Sequence, residues 1–352
     1  MFARFITRGL AVLLLAAPLL AQGQVQPRAK AWATTPEIPF EGTSFIKQMP
    51  PGLYMGEAIG VATNSKGNVF VITRSGESKV FEFDPTGKFV KEFGKDSYGF
   101  GFAHAVRVDK DDNVWSVDEG SNLVLKWAPD GTLLMVLGKR PDPIDQLDMM
   151  PGTAPFSGMA RPYSFHRPTD VTWDPQGNIF VSDGYGDSRI AKYDKNGRFI
   201  KTMGTRGNGD NQFSTPHGIQ ADAQGTIYVA DRGNSRVVVL DNDLNWKTTY
   251  THVGSPWGLC ISQGPHQYLY STNSSGTDLQ IDNVAVTGEI YKMELDGTVL
   301  GRFGKSGKAL KEFASVHTLD CRDPNTVYAA EINSWRVQKA TLHPEQARPT
   351  SK

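Results

Sequence analysis

The chain carries the segment IFVSD at residues 179–183 and the segment IYVAD at residues 227–231. Each is an apolar strand that ends on aspartate, and each follows an earlier apolar strand and a turn of the Asp-x-x-Gly type. Residues 69–73 and 114–118 match the same pattern, and residues 327–331 match it more loosely. A polar turn and two further strands complete each copy. One short unit that recurs along the chain is typical of repeat architectures.

The repeat predicts an all-β fold, a six-bladed β-propeller. First strands are predicted to begin near six positions: Gly60, Ala105, Asp170, Gly218, Gly258 and Thr318. A four-stranded unit cannot bury both faces alone, whereas six units around an axis bury them and leave few open edges. The fifth copy is degenerate and carries an insertion. The last copy lacks an outer strand, which residues 35–47 are predicted to supply. A β-sandwich is the competing architecture, but six copies in phase disfavour it.

Residues 1–23 have the layout of a secretory signal peptide. Arg4 and Arg8 give a positive start, residues 10–20 are apolar, and small residues follow at 21–23. The apolar run is too short to span a bilayer, although an uncleaved membrane anchor is the alternative. We therefore expect an exported protein, periplasmic or secreted. The propeller is predicted at residues 24–345, and residues 346–352 form a C-terminal tail.

Composition excludes some classes of partner. The sequence has 37 basic and 37 acidic side chains and a formal net charge of zero, so it shows no general electrostatic footprint for nucleic acid or a membrane surface. The two cysteines, Cys260 and Cys321, are enough for one disulfide, and the sequence leaves their pairing open. We expect a monomer, because a ring closed by its own repeats needs no partner to cover its edges.

Three histidines stand in register within the repeat. His104, His217 and His317 lie at the starts of the first strands in copies two, four and six. The equivalent positions in copies one, three and five hold Ile59, Thr169 and Trp257. Because the first strands line the central channel, side chains on alternate blades converge on its axis. Three imidazoles with an open fourth position predict a metal site, for which Zn, Cu, Fe and Ni are all suitable.

The residues that follow the second strands are predicted to rim this site. They include Arg74 in copy one, Tyr185 in copy three and Arg232 in copy four. Guanidinium groups bind a carboxylate through paired hydrogen bonds. A tyrosine beside cations and a metal loses its proton more easily and can then act as a base. Both arginines are also suited to structural ion pairs between blades. The long connection at residues 139–166 and the insertion at 271–288 are expected near the same mouth or disordered.

The repeat resembles that of NHL-repeat propellers, through SDGYGDSR at residues 182–189 and ADRGNSR at residues 230–236. Residues 167–236, with PTDV at 168–171 and QFSTPH at 212–217, resemble the peptidyl-α-hydroxyglycine α-amidating lyases more specifically. The resemblance implies zinc on His104, His217 and His317, with Tyr185 as the catalytic base. It also implies that Arg74 contacts substrate and that Arg232 lies in the active site. The family reaction cleaves a carbinolamide to an amide and glyoxylate.

One position departs from that family. An aspartate that helps to bind a structural calcium in the family is replaced here by Thr318, and the other calcium contacts, through main-chain carbonyls, would fall on Val61 and Val106. Because calcium favours charged oxygen ligands, this substitution puts the calcium in doubt.

Three functions follow from the sequence. The first is a zinc-dependent lyase acting on a small-molecule or peptide substrate with a carboxylate. The second is a metal-dependent hydrolase such as a lactonase, for which Asp170 is one of few axial carboxylates. The third is a non-catalytic NHL propeller that binds a protein or glycan.

Overall fold

The computed structural model describes residues 35–75, 78–97, 99–140, 161–273 and 288–348. The predicted signal peptide and most of the two predicted mouth segments lie outside these ranges. Six four-stranded antiparallel sheets follow one another along the chain, which confirms the predicted six-bladed propeller.

Each blade runs from its innermost to its outermost strand. Blade 1 is formed by Ala58–Thr63, Val69–Thr73, Lys79–Phe83 and Phe89–Phe93. Blade 2 is formed by Ala103–Val108, Val114–Asp118, Leu123–Trp127 and Leu133–Gly138. Blade 3 is formed by Asp170–Trp173, Ile179–Asp183, Arg189–Tyr193 and Phe199–Met203. Blade 4 is formed by Pro216–Ala221, Ile227–Asp231, Arg236–Leu240 and Trp246–Tyr250. Blade 5 is formed by Pro256–Ile261, Leu269–Asn273, Glu289–Met293 and Val299–Phe303. Blade 6 is formed by Val316–Asp320, Thr326–Glu331, Arg336–Leu342 and Phe40–Ser44. Two short parallel pairs join Thr205–Arg206 to Gln212–Phe213 and Lys305–Ser306 to Glu312–Phe313. Single 3₁₀ turns span Arg232–Asn234 and Pro344–Gln346.

The Asp-x-x-Gly turns hold the first and second strands together. In blade 3, Asp174 accepts hydrogen bonds from the main chain and the side chain of Asn178, at 2.8 and 2.7 Å. Gly177 closes the turn with a φ of 87°, a left-handed conformation that glycine adopts without steric cost. Aspartate and glycine at this spacing therefore fix where the two strands reverse.

The apolar core lies between blades. Six clusters of buried side chains each join neighbouring blades, and one of them joins blade 6 to blade 1 around Phe45, Phe83 and Tyr328. Near the axis the inner strands approach closely: a Cβ on Gly218 would lie 2.7 Å from the carbonyl oxygen of Trp257. Strand spacing at the channel thus depends on small residues at such positions.

The N-terminal segment closes the ring, as predicted. Phe40–Ser44 pairs antiparallel with Arg336–Leu342, in a register that runs from Phe40 opposite Leu342 to Ser44 opposite Gln338. A disulfide joins Cys260 of blade 5 to Cys321, just after the inner strand of blade 6, with their Cα atoms 5.9 Å apart. Both cysteines are buried. Within the described ranges, no helix has the length and apolarity that crossing a membrane requires.

Candidate metal centre and channel mouth

Three buried histidines converge at one end of the channel. Each is the second residue of the innermost strand in its blade: His104 in blade 2, His217 in blade 4 and His317 in blade 6. Their ring centroids lie 4.6 to 4.7 Å apart, and one ring nitrogen from each falls within 4.8 Å of the others. The predicted convergence on the axis is confirmed, and the three side chains are placed to bind a metal ion.

Main-chain carbonyls orient the three imidazoles. Nδ1 of His104 lies 2.5 Å from the carbonyl oxygen of Thr169, and Nδ1 of His317 lies 2.7 Å from that of Ile59. The same contact joins His217 to Trp257 at 3.0 Å. Because a carbonyl oxygen only accepts hydrogen bonds, each Nδ1 must carry the hydrogen. The Nε2 lone pairs are therefore left for a metal, which is the usual arrangement of histidine ligands.

The histidines are neutral in this setting. Burial, followed by the charge on Arg74, lowers the pKa of His104 to about 3. Burial followed by the other imidazoles holds the pKa of His217 and of His317 well below the ordinary value. Neutral imidazole is the form that coordinates a metal, so the donor set fits a divalent ion. Zn, Cu, Fe and Ni all accept such ligands, and the donors alone do not select one.

Tyr185 lies directly beside this cluster. Its hydroxyl oxygen is 3.3 Å from Nε2 of His104 and 3.3 Å from Nε2 of His217. Burial raises the pKa of Tyr185, and the carboxylate of Glu119 raises it further, while nearby arginines oppose both effects. In the chain alone the phenol is therefore protonated at neutral pH. The structure brings Tyr185 to the histidines as the sequence predicts.

Arg74 and Arg232 stand on opposite sides of the mouth. The Nε atom of Arg74 is 2.8 Å from a carboxylate oxygen of Glu57, and its guanidinium stacks on Phe102 at 4.4 Å. The guanidinium of Arg232 stacks on the ring of Trp257 at 4.5 Å. Arg74 thus makes an ion pair and also faces the site, where its charge lowers the pKa of all three histidines.

Two residues of the mouth escaped the sequence analysis. Glu119, 4% exposed, pairs with Arg167 at 2.9 Å and lies 3.7 Å from Arg74. The Arg167 guanidinium also covers the ring of Tyr185 at 4.7 Å. Glu119 directly follows the second strand of blade 2, as Arg74 follows that of blade 1, so the same rule applied to blade 2 finds it. One buried carboxylate therefore ties two of the mouth arginines together.

Other repeat residues hold the scaffold, in keeping with their recurrence. Asp183 accepts a hydrogen bond from the main-chain N–H of His166 at 2.8 Å and pairs with the fully buried Arg189 at 3.0 Å. Asp231 and Arg236 form the matching pair in blade 4 at 2.7 Å. These contacts anchor blade-to-blade connections to the ends of second strands.

Thr318, at the position of the family's calcium-binding aspartate, makes hydrogen bonds within the protein. The hydroxyl of Thr318 accepts a hydrogen bond from the N–H of Val61 at 3.1 Å and donates toward the carbonyl of Ile59 at 3.3 Å. Val106 lies in the innermost strand of blade 2, with its side chain in the core. Within the described ranges, the three histidines are the one cluster of histidine, cysteine, aspartate or glutamate placed to hold a metal. With threonine in place of a carboxylate, these residues do not fit a calcium ion, which favours charged oxygen ligands.

Comparison of the sequence with known proteins assigns this chain to a family. The NHL repeat family matches residues 213–240. A probable peptidyl-α-hydroxyglycine α-amidating lyase of Caenorhabditis elegans is 30% identical over 328 residues, which cover 83% of this chain and 84% of the relative. The chain belongs to this lyase family.

Two further comparisons concern a much longer relative and a solved structure with the same fold. Peptidyl-glycine α-amidating monooxygenase B of Xenopus laevis is 30% identical over 287 residues, which are 78% of this chain but 30% of the relative. The lyase-family chain therefore spans less than a third of that protein's length. A gluconolactonase of Xanthomonas campestris has the same fold, with a TM-score of 0.59 over 91% of this chain and 99% of the other, at 13% identity.

Proposed function

We propose that this protein is a zinc-dependent lyase that cleaves a peptidyl-α-hydroxyglycine, a carbinolamide, into an amide and glyoxylate. The observation that carries the proposal is the position of the Tyr185 hydroxyl, 3.3 Å from Nε2 of two of the three converging histidines. A candidate metal site and a candidate proton-transfer group therefore lie side by side, and the charges of Arg74, Arg167 and Arg232 act nearby.

The histidines would hold the metal through Nε2, because their Nδ1 atoms are held by main-chain carbonyls. A bound divalent cation would supply positive charge that polarises a substrate oxygen and favours the deprotonated form of a neighbouring phenol. Binding of the substrate and transfer of its proton are carried out by side chains of the protein.

The mouth arginines are suited to the substrate carboxylate. The charges of Arg74, Arg167 and Arg232 all lower the pKa of Tyr185, so all three guanidiniums lie close enough to act on its hydroxyl group. Guanidinium binds carboxylate with two parallel hydrogen bonds, which fixes the orientation of the anion. The same contacts hold the carboxylate of glyoxylate as it forms, so charge is balanced from substrate to product.

Tyr185 is placed to take the proton of the substrate hydroxyl. As that O–H bond breaks, its electrons form the carbonyl of glyoxylate, and the bond from carbon to the amide nitrogen breaks. The nitrogen takes up one proton and leaves as the amide, so the reaction is an elimination without net oxidation or reduction. A general base contributes about 10²- to 10⁴-fold to such a step.

The structure offers the other candidate functions less support. A lactonase of this architecture would need a carboxylate at the channel axis, and Asp170 is engaged by Arg107 through bonds of 2.9 and 2.5 Å. A purely binding propeller leaves the buried convergence of three imidazoles without a role.

Export is part of the proposal, because a disulfide such as Cys260–Cys321 persists in oxidising compartments. A monomeric state stays a prediction.

The test is turnover of a synthetic acyl-α-hydroxyglycine by zinc-loaded protein, with glyoxylate and amide measured separately. We expect the two products in equal amounts, at a rate above that of the His217→Ala variant under the same conditions. Zinc-loaded protein that binds the metal but releases no glyoxylate above the variant would refute the lyase assignment. Hydrolysis of an aldonolactone in the same assay would instead support the hydrolase.

A further inference from the structure

An ion pair between Arg107 and Asp170 lies in the channel, beyond the histidines. Arg107 stands three residues after His104 in the innermost strand of blade 2, and Asp170 begins that of blade 3. Nε and Nη2 of Arg107 lie 2.9 and 2.5 Å from the two carboxylate oxygens. The two residues are 6% and 2% exposed, so the pair is buried.

The guanidinium reaches the far side of the ring. It donates hydrogen bonds to the carbonyl oxygens of Leu319 in blade 6 and Leu259 in blade 5, each at 3.3 Å. Blade 5 is opposite blade 2 in a six-bladed ring, so a side chain that starts in blade 2 must lie across the axis to make this contact. Arg107 therefore fills the centre of the channel.

Those carbonyls belong to one layer of the propeller. Leu259 and Leu319 stand two residues after the ring positions of their blades, Trp257 and His317. Val61 and Val106 have the same offset in blades 1 and 2, which is where the family resemblance places the main-chain ligands of calcium. The guanidinium thus donates to oxygens of the layer from which a calcium ion would be bound.

Asp170 extends the contacts to a further blade. The carboxylate accepts hydrogen bonds from the N–H of Ile219 in blade 4 at 3.1 Å and from Val171 at 2.9 Å. Together, Arg107 and Asp170 join the inner strands of blades 2, 3, 4, 5 and 6. Blade 1 is joined to blade 6 through the Val61–Thr318 hydrogen bond.

The chemistry of this layer matches that of a cation site already filled. One carboxylate and two carbonyl oxygens are the ligands that calcium takes, and here they surround a guanidinium. Arginine stays charged in proteins, so a second cation in the same layer would be repelled at short range. Thr318 adds no negative charge to offset it.

We propose that Arg107 is the built-in axial cation of this propeller: its guanidinium takes the place of a bound calcium ion, and with Asp170 it positions the histidine cluster. Asp170 directly follows Thr169, whose carbonyl holds His104. The carbonyl of Leu319 lies two residues from His317 in the same strand. Arg107 is thus a positioning residue whose role does not depend on which reaction the site performs.

The first test is calcium binding by the wild-type protein. Protein saturated with zinc is dialysed against millimolar calcium and then against calcium-free buffer, and its metal content is measured by mass spectrometry. We expect no stoichiometric calcium and no calcium-dependent shift of the thermal unfolding midpoint, with zinc held constant. About one calcium per chain, with a rise in that midpoint, would overturn the proposal.

The second test exchanges one cation for the other. Arg107→Met should lower zinc affinity about 10-fold or more, as loss of a group that supports metal ligands does. Arg107→Met combined with Thr318→Asp should bind calcium, and its unfolding midpoint should rise when calcium is added. Unchanged zinc affinity in Arg107→Met, or a double variant that ignores calcium, counts against the proposal.

A matched control separates positioning from general loss of stability. Arg336 forms an ion pair with Glu331 at 2.7 Å in blade 6, away from the axis. Arg336→Met should lower the unfolding midpoint and leave zinc affinity unchanged. If Arg107→Met does not fold, the calcium measurement on the wild-type protein decides the question alone.

Discussion

The Nδ1 atom of His217 lies 3.0 Å from the main-chain oxygen of Trp257, the residue that takes its place in the next blade. The same relation joins His104 to Thr169 and His317 to Ile59. Blades without a histidine therefore orient the histidines of the blades before them. Because the acceptor is a main-chain atom, the side chain at these positions is free to be isoleucine, threonine or tryptophan.

Metal content tests the histidine cluster most directly. We expect wild-type protein supplied with zinc to retain about one ion per chain and His217→Ala to lose it, because two imidazoles do not complete a zinc site. Mass spectrometry of the purified proteins measures both. His343→Ala, in which the altered residue lies by Glu41 and Glu345 near the C-terminus, is the control and should keep its zinc. Zinc retained by His217→Ala at full stoichiometry would contradict the site.

Replacing Tyr185 by phenylalanine removes one oxygen and keeps the ring. We expect glyoxylate release to fall about 10²- to 10⁴-fold with zinc content unchanged, because the proton acceptor is lost while the ring can still stack on Arg167. Steady-state kinetics and metal analysis on one preparation measure the two quantities. A variant with wild-type turnover would remove Tyr185 from the mechanism, whereas one that loses zinc would make it a structural residue.

Glu119 is expected to act through the arginines it holds. Glu119→Gln replaces the carboxylate that pairs with Arg167 at 2.9 Å and lies 3.7 Å from Arg74. We expect KM for the anionic substrate to rise about tenfold and kcat to change less, because the guanidiniums lose their common partner. Glu57→Gln, at the more exposed partner of Arg74, should have a smaller effect. A fall in KM would show instead that the carboxylate competes with the substrate.

The disulfide should contribute measurably to stability. Cys260 and Cys321 are 61 residues apart in sequence, and closing a loop of that length in the unfolded chain corresponds to about 4 kcal/mol. We expect the variant with alanine at both positions to lose about 2–4 kcal/mol of unfolding free energy in denaturant titration. Wild-type protein refolded under reducing conditions should fall to a similar value. Equal stabilities of oxidised wild type and variant would rule this contribution out.

His166 should make stability depend on pH. A hydrogen bond to Asp187 raises the pKa of His166 above its usual value, and burial opposes the rise. A histidine with a raised pKa stabilises the fold below the unfolded pKa, about 6.5, and loses that contribution as pH rises through the folded pKa. His166→Gln should therefore cost more stability near pH 6 than near pH 9, by less than about 1 kcal/mol because the pair is partly exposed. Denaturant titrations at both pH values measure the difference, and the opposite trend would refute it.

The fold and the convergence of the three histidines could be predicted because both follow from the repeat. The Asp-x-x-Gly turns and alternating strands set the blade count, and the count places His104, His217 and His317 on alternate blades. Ring closure by residues 35–47 followed from one missing strand. The position of a residue within its repeat depends only on the local sequence, so it can be predicted from the sequence alone.

Arg107, Arg167 and the disulfide could not be predicted in the same way. Arg107 acts across the whole diameter of the ring, on carbonyls in blades 5 and 6. Arg167 depends on a left-handed backbone, with a φ of 63°, and on a hydrogen bond from its N–H to Asn122 in blade 2 at 2.8 Å. The cysteines meet because blades 5 and 6 are adjacent at that height. Such contacts depend on three-dimensional distance rather than on spacing along the chain.

Closure of the ring by Phe40–Ser44 has a consequence for the order of events in folding. Blade 6 carries His317, yet its outer strand comes from the opposite end of the chain, where Phe40 meets Leu342. Until these two strands have paired, at most two of the three histidines lie in blades that have all four strands. We therefore expect a metal ion to be held by all three histidines only after Phe40–Ser44 has paired with Arg336–Leu342.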